Sequence, residues 1–184
     1  MLTQLVGGTG VSTALQLLSN VYTHPSPDAP KIKVLYAAQS LDSLEMVPDL
    51  ASFAHAHPQQ VSLGVWVERL GGDRGMLGGV EPTLGTVRPL VQKTGWFAKP
   101  AAPARYLLTV GERDIPLSHG RLAPADLAEW TTPGDDGERL VLVCGPDGFV
   151  RAVAGAKGRD LLSQGPLRGM LASLGYRPSQ VVKL

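Results

Sequence analysis

Two short glycine-containing turns hold the residues of this chain best suited to chemistry. Gly7-Gly8-Thr9-Gly10 follows an apolar run, Leu2-Thr3-Gln4-Leu5-Val6, and leads into Val11-Ser12. Beyond it, Val11, Ala14, Leu15, Leu18 and Tyr22 recur at three- and four-residue steps, the spacing of a helix with one apolar face. Glycines between a strand and a helix permit positive φ and let a phosphate approach the backbone. The free N–H groups and positive dipole end of the helix then suit a pyrophosphate. The same turn without a ligand is a tight connection, and the sequence leaves both readings open. No Lys-Ser/Thr follows, so this is not a Walker loop, and Thr13 stands where a complete GxGxxG has its last glycine. The second turn, Cys144-Gly145-Pro146-Asp147-Gly148, follows Leu140 to Cys144, an uninterrupted apolar run of five residues. A cysteine ending a buried strand is most often a small apolar filler. Here Pro146 and Gly148 set a sharp turn into a helix, which places the thiol at the carboxyl edge of a sheet, where ligands of open α/β proteins bind.

The elements that must hold these turns follow from hydrophobic period. Strands are expected at Leu2 to Val6, Ile32 to Ala38, Val61 to Val67, Tyr106 to Val110, Leu140 to Cys144 and Val181 to Val182. Helices are expected at Val11 to Tyr22, at Asp42 to Ala54 with a break at Pro48, at Pro124 to Trp130, from Phe149 to Ala154, and at Pro166 to Leu174 with Gly175 as C-cap. His24 to Pro30, with its three prolines, is a loop. Gly71 to Pro103 has no clean period and reads as a long loop or insertion, with a hairpin around Gly95. Apolar strands alternating with helices imply an α/β fold: an open, parallel, five-stranded sheet with helices on both faces, interrupted by an insertion at about 71–117.

Composition narrows the function classes. The 184 residues suffice for one core, not two full-sized domains. Lys plus Arg total 17 against 16 Asp plus Glu, a net charge of +1 that gives no basic face for nucleic acid. With 43% hydrophobic and 18% charged residues the chain is not a disordered polymer. A single cysteine rules out an internal disulfide and a cysteine-rich zinc site. No segment approaches the roughly 18–20 apolar residues of a membrane span, and neither a signal peptide nor an Arg-rich transit peptide opens the chain. Structure is expected from residue 2 onward, which suggests that a further segment precedes it.

Gly7-Gly8-Thr9-Gly10-Val11-Ser12, Val34-Leu35-Tyr36-Ala37, Gly120-Arg121-Leu122, Val143-Cys144-Gly145-Pro146 and Leu174-Gly175-Tyr176 occur in that order. In this the chain resembles the pyridine-nucleotide module of the ferredoxin-NADP reductase superfamily, and within it the cytochrome b5 reductase branch. The ending, with Gly148-Phe149-Val150, Gln164-Gly165-Pro166 and Val182-Lys183-Leu184, resembles the fungal mitochondrial flavoproteins of cytochrome c import. The likeness covers 1–67 and about 118–184 and leaves about 71–117 unexplained. It implies that residues 1–184 are an NAD(P)H-binding domain passing hydride to FAD held by a module outside this chain. Electrons then go to a haem protein such as cytochrome b5 or cytochrome c, and the location is mitochondrial.

By that likeness Gly7, Gly8, Thr9 and Gly10, with Val11 and Ser12, hold the pyrophosphate. Cys144 and Gly145 border the nicotinamide, Cys144 in a catalytic place, and Pro146 shapes the turn. An acidic residue after the third strand accepts the adenosine ribose hydroxyls. Glu68 matches in strand context and Glu112 in distance to Gly120. Such a carboxylate favours NADH over NADPH, whereas Arg69 or Arg113 would do the reverse. The family often has proline where Thr13 stands, and it ends in an aromatic residue where Leu184 stands. A non-catalytic dinucleotide-binding or interaction protein that has lost the flavin domain is the alternative.

Other signals read as structural. His55 and His57 form an exposed helix end rather than a metal site. Ser118-His119 lacks the GxSxG elbow of a hydrolase. Arg151, Lys157 and Arg159 read as a solvated face, and Trp66 and Trp96 as packing anchors.

Overall fold

The computed structural model describes residues 1–23, 29–70, 85–89, 105–133, 139–158, 160 and 163–184. Most of the loop at His24 to Pro30, the hairpin around Gly95, Trp96 and Arg159 lie outside the described residues.

The apolar runs become strands β1 (Leu2–Gly7), β2 (Ile32–Ser40), β3 (Val61–Arg69), β7 (Leu140–Cys144) and β8 (Val181–Lys183). Three more, β4 (Thr86–Pro89), β5 (Arg105–Val110) and β6 (Arg113–His119), come from the stretch expected to be an insertion. All eight form one sheet in the order β4-β5-β6-β3-β2-β1-β7-β8. The strands from β6 across to β8 are parallel. β5 and β4 are antiparallel additions at one edge. The expected five-stranded sheet is therefore corrected to eight strands.

The helices are α1 (Val11–Tyr22), α2 (Val47–Ala56), α3 (Pro124–Trp130), α4 (Asp147–Ala154) and α5 (Gly169–Ser173). Pro48 sits in the first turn of α2, where its missing N–H costs nothing. The helix expected from Pro166 starts only at Gly169, because Arg168 is extended and Gly169 has φ +69°. Gly175, at φ +86°, ends the helical region as expected. Among the described residues no helix is long and apolar enough to cross a membrane.

Alternation along the strands divides the core in two. Val6, Val34, Tyr36 and Val65 face α1 and α2, meeting Val11, Ala14, Leu18, Val47 and Leu50. Leu5, Leu35, Trp66, Val141 and Val143 face the other layer, meeting Leu127 of α3, Val150 and Val153 of α4 and Leu171 of α5. Helices thus cover both faces. The chain winds from β1 towards β3 on one side and then returns to place β7 on the other. The switch point lies between β1 and β7, and its carboxyl edge is the crevice where such sheets bind ligands.

Candidate functional site

The two glycine turns flank that switch point. β1 and β7 pair with Val6 opposite Cys144, so both turns leave the sheet at the same level. They also touch. A methyl group on Gly10 would stand 2.5 Å from the Cys144 carbonyl oxygen, and one on Gly145 would stand 2.8 Å from the Gly7 carbonyl oxygen. A side chain on Gly7 would enter the ring of Phe149, at 2.7 Å. Glycine at these positions is what lets the two backbones meet. Gly8, at φ +49°, has nothing closer than the Pro146 ring at 3.7 Å, so its outer side stays open. From there the chain passes through a single 3-10 turn, Gly8–Gly10, into α1, whose first N–H, that of Val11, donates to the Gly8 and Thr9 carbonyls. The geometry is a backbone cradle for an anion, which a side chain would fill.

Next to the cradle lies a polar pair, one member buried and one half-buried. Thr13 Oγ1 donates to the Gly10 carbonyl at 2.7 Å and accepts from Gln4 Nε2 at 3.0 Å. Gln4 is fully buried on β1. Thr13 thereby ties the first turn of α1 both to the cradle and to the central strand. No sequence pattern marks the Gln4 contact, since the two residues lie on different elements.

Cys144 is half-buried, and its side chain packs against the core on the α1 side. The filler role and the edge position therefore coexist. Next to the turn is a cleft of about 350 Å³ lined by Gly145, Asp147, Val150, Arg151, Ala156, Lys157 and Leu184. Leu184 continues the sheet, its N–H donating to the Val143 carbonyl at 2.9 Å, and its side chain remains exposed.

Strand register places the two candidate carboxylates at opposite edges of the sheet. Gly7 is level with Ala37 of β2, and Ala37 with Trp66 of β3. Glu68 lies two residues beyond Trp66, at the carboxyl edge, and is exposed. Three strand spacings of about 4.8 Å, roughly 14 Å, separate β3 from β7. That suits an extended dinucleotide better than a single nucleoside. Glu112 is placed elsewhere. It sits with Gly111 in the turn joining β5 to β6, and β6 runs parallel to β3 with Leu117 opposite Val65. Glu112 therefore precedes β6 and lies at the amino edge, on the far side of the sheet from both glycine turns. Its match was one of linear distance, which a hairpin does not preserve. Arg113 shares its fate, whereas Arg69 ends β3 beside Glu68.

Gly120 completes this edge. Its N–H donates to the Val67 carbonyl at 2.9 Å, and its own carbonyl accepts from Trp66 Nε1 at 2.6 Å. Trp66 is a buried anchor, as its sequence context suggested. Two of the other discounted residues have ring contacts. His57 stacks on Tyr22 with ring centroids 4.5 Å apart. His119 meets Tyr106 edge-on. No group of three or more His, Cys, Asp or Glu side chains suited to a metal occurs among the described residues.

Fold, switch point and interlocked turns define an open α/β module with a ligand crevice at the carboxyl edge of its sheet. No family model matches the chain. It is 26% identical over 182 residues to NADH-cytochrome b5 reductase 2-B of Vanderwaltozyma polyspora, covering 99% of this chain and 46% of that protein. It is 27% identical over 179 residues to the NADH-cytochrome b5 reductase-like protein of Arabidopsis thaliana, covering 97% and 41%. In structure it is similar to the cytochrome b5 reductase domain of Ulva prolifera nitrate reductase, with TM-score 0.59 and 17% identity, covering 100% of this chain and 49% of that one. The NAD+ form of the CS-b5R domains of human Ncb5or is also similar, with TM-score 0.56 and 15% identity, covering 99% and 36%. The chain spans a little under half the length of the curated relatives it matches.

Proposed function

We propose that this chain is an NADH-binding module of a cytochrome b5 reductase-like flavoenzyme. It would hold NADH across the carboxyl edge of its sheet and present the nicotinamide to FAD carried by a module outside these 184 residues. The electrons would go on to a haem protein such as cytochrome b5 or cytochrome c. The observation that carries this reading is the contact between Gly10 and Cys144, which joins the two glycine turns at the switch point.

Each part of the edge has a separate task in this reading. The open side of Gly8 and the backbone of the Gly8–Gly10 turn ahead of α1 hold the pyrophosphate, where the helix dipole favours negative charge. Glu68 accepts the adenosine ribose hydroxyls and repels a 2′-phosphate, which favours NADH. Cys144 and Gly145 border the nicotinamide, and the cleft beside Gly145 gives its ring a place. FAD, when bound to its own module, converts two-electron hydride chemistry into one-electron transfer. Names of relatives that specify NADH support the cofactor choice.

Calorimetric titration of the chain with NADH and NADPH tests this. Saturable binding, tighter for NADH, is expected. Glu68→Gln should weaken NADH roughly tenfold, the scale of one charge-assisted hydrogen bond, and should narrow the preference over NADPH. Glu112→Gln should leave both unchanged. Absence of binding to the unsubstituted chain contradicts the reading. Tighter NADPH keeps the module and overturns the cofactor choice.

A further inference from the structure

Lys183 is the next-to-last residue of the chain and is only 3% exposed. A buried ammonium must find partners for its three N–H donors. Among the described residues no carboxylate pairs with it. Instead Nζ donates to the carbonyls of Gln164 at 2.5 Å, Pro166 at 2.9 Å and Ala156 at 3.0 Å, with Gly165 at 3.5 Å. These carbonyls come from the two ends of the connection between α4 and α5. The backbone of Lys183 is held as firmly. Its N–H donates to Gln164 Oε1 at 2.6 Å, and its carbonyl accepts from Gln164 Nε2 at 3.1 Å. The Gln164 amide thus acts as a strand partner for β8. Burial pushes the Lys183 ammonium below the usual lysine value.

The position of this cage matters more than its existence. Ala156, whose carbonyl is part of the cage, lines the cleft beside Gly145 together with Lys157. Leu184, the residue after Lys183, lines the same cleft. A packing role alone needs no buried cation, since a methionine of similar length would fill the space. What the ammonium adds is a fixed relation between three backbone points that a neutral side chain could not impose.

We infer that Lys183 is a positioning residue for the nicotinamide end of the dinucleotide, tying Leu184 to Ala156 in the lining of the cleft beside Gly145. This rests on the dinucleotide reading above. Lys183 touches no ligand in this role. It sets the separation of Leu184 from Ala156 and Lys157, and so the width of the slot next to the Cys144-Gly145 turn. The adenosine and pyrophosphate parts of the site, at β3 and β1, are outside its reach.

The test compares NADH with ADP-ribose, which lacks the nicotinamide, as calorimetric ligands for the chain and for Lys183→Met. The unsubstituted chain should bind NADH more tightly than ADP-ribose. In Lys183→Met the Kd for NADH should rise roughly tenfold, while that for ADP-ribose stays within about twofold. If Lys183→Met fails to fold by circular dichroism, Gln164→Leu loosens the same cage with Lys183 in place and should give the same selective loss. Equal weakening of both ligands, or unchanged NADH binding, overturns the inference and leaves the dinucleotide reading standing. An unsubstituted chain that binds ADP-ribose as tightly as NADH does the same. If it binds neither ligand, the dinucleotide reading fails and the inference with it.

Discussion

At Gly10 there is no space for even one methyl group. A Cβ there would meet the Cys144-Gly145 peptide, and that obstacle is backbone, which cannot rotate away. Gly10→Ala must therefore separate the two turns. It should destabilise the chain by about 1–3 kcal/mol, the usual cost of overpacking, and weaken NADH binding by more than Gly8→Ala does. Chemical denaturation paired with calorimetry checks both. Retained affinity in Gly10→Ala would mean that the contact between the turns is not what shapes the cradle. Both turns were legible as sequence, because glycines directly after an apolar run mark a sharp exit from a strand. Their contact was not, since Gly10 and Cys144 lie far apart along the chain. The choice between Glu68 and Glu112 was equally closed to the sequence. Both follow apolar strands, and only strand direction separates them.

At the scale of elements, the strands with strong apolar character were readable and the hairpin added at the sheet edge was half hidden. β5 was expected and β6 was not. Only Ile115 and Leu117 of β6 are buried, and Pro116 interrupts an otherwise alternating pattern. Pro116 is tolerated opposite Leu107 because the pairing with β3 begins only at Leu117. The hairpin is laced by Asp114, which accepts from Thr109 Oγ1 at 2.7 Å and pairs with Arg88 of β4. The Thr109 hydroxyl above all holds the Asp114 carboxyl below the usual aspartate value, with desolvation opposing it and the Arg88 guanidinium adding to it. Around the unfolded value of about 3.9 the folded chain therefore binds fewer protons than the unfolded one. The stabilisation is present above that pH and is lost as pH falls through the lower folded value. Protection of the β5 amides, taken relative to their intrinsic exchange rates, should fall on acidification below about pH 4. Asp114→Asn should exchange faster at neutral pH already and respond less to acid. A variant with the same acid response as the unsubstituted chain would remove Asp114 as the cause.

Across the whole molecule, one sheet carries every proposed contact on one edge. The Gly7–Gly10 turn and the Cys144 turn flank the switch point, Glu68 and Gly120 stand towards β3, and Leu184 closes the β8 side. Alternation of strands and helices made this architecture readable, because apolar strands covered on both faces leave few other arrangements. The strand count was less readable, because an edge hairpin needs only one buried face. Lys183 shows a further limit: a lysine near a chain end carries no sequence sign of burial. Hydrogen exchange with and without saturating NADH tests the placement of the ligand most directly. Slowed exchange is expected at 7–13, 66–69, 119–122 and 144–150, with 110–113 at the opposite edge unchanged. Protection at 110–113, or none at the two glycine turns, would contradict a dinucleotide lying across the carboxyl edge.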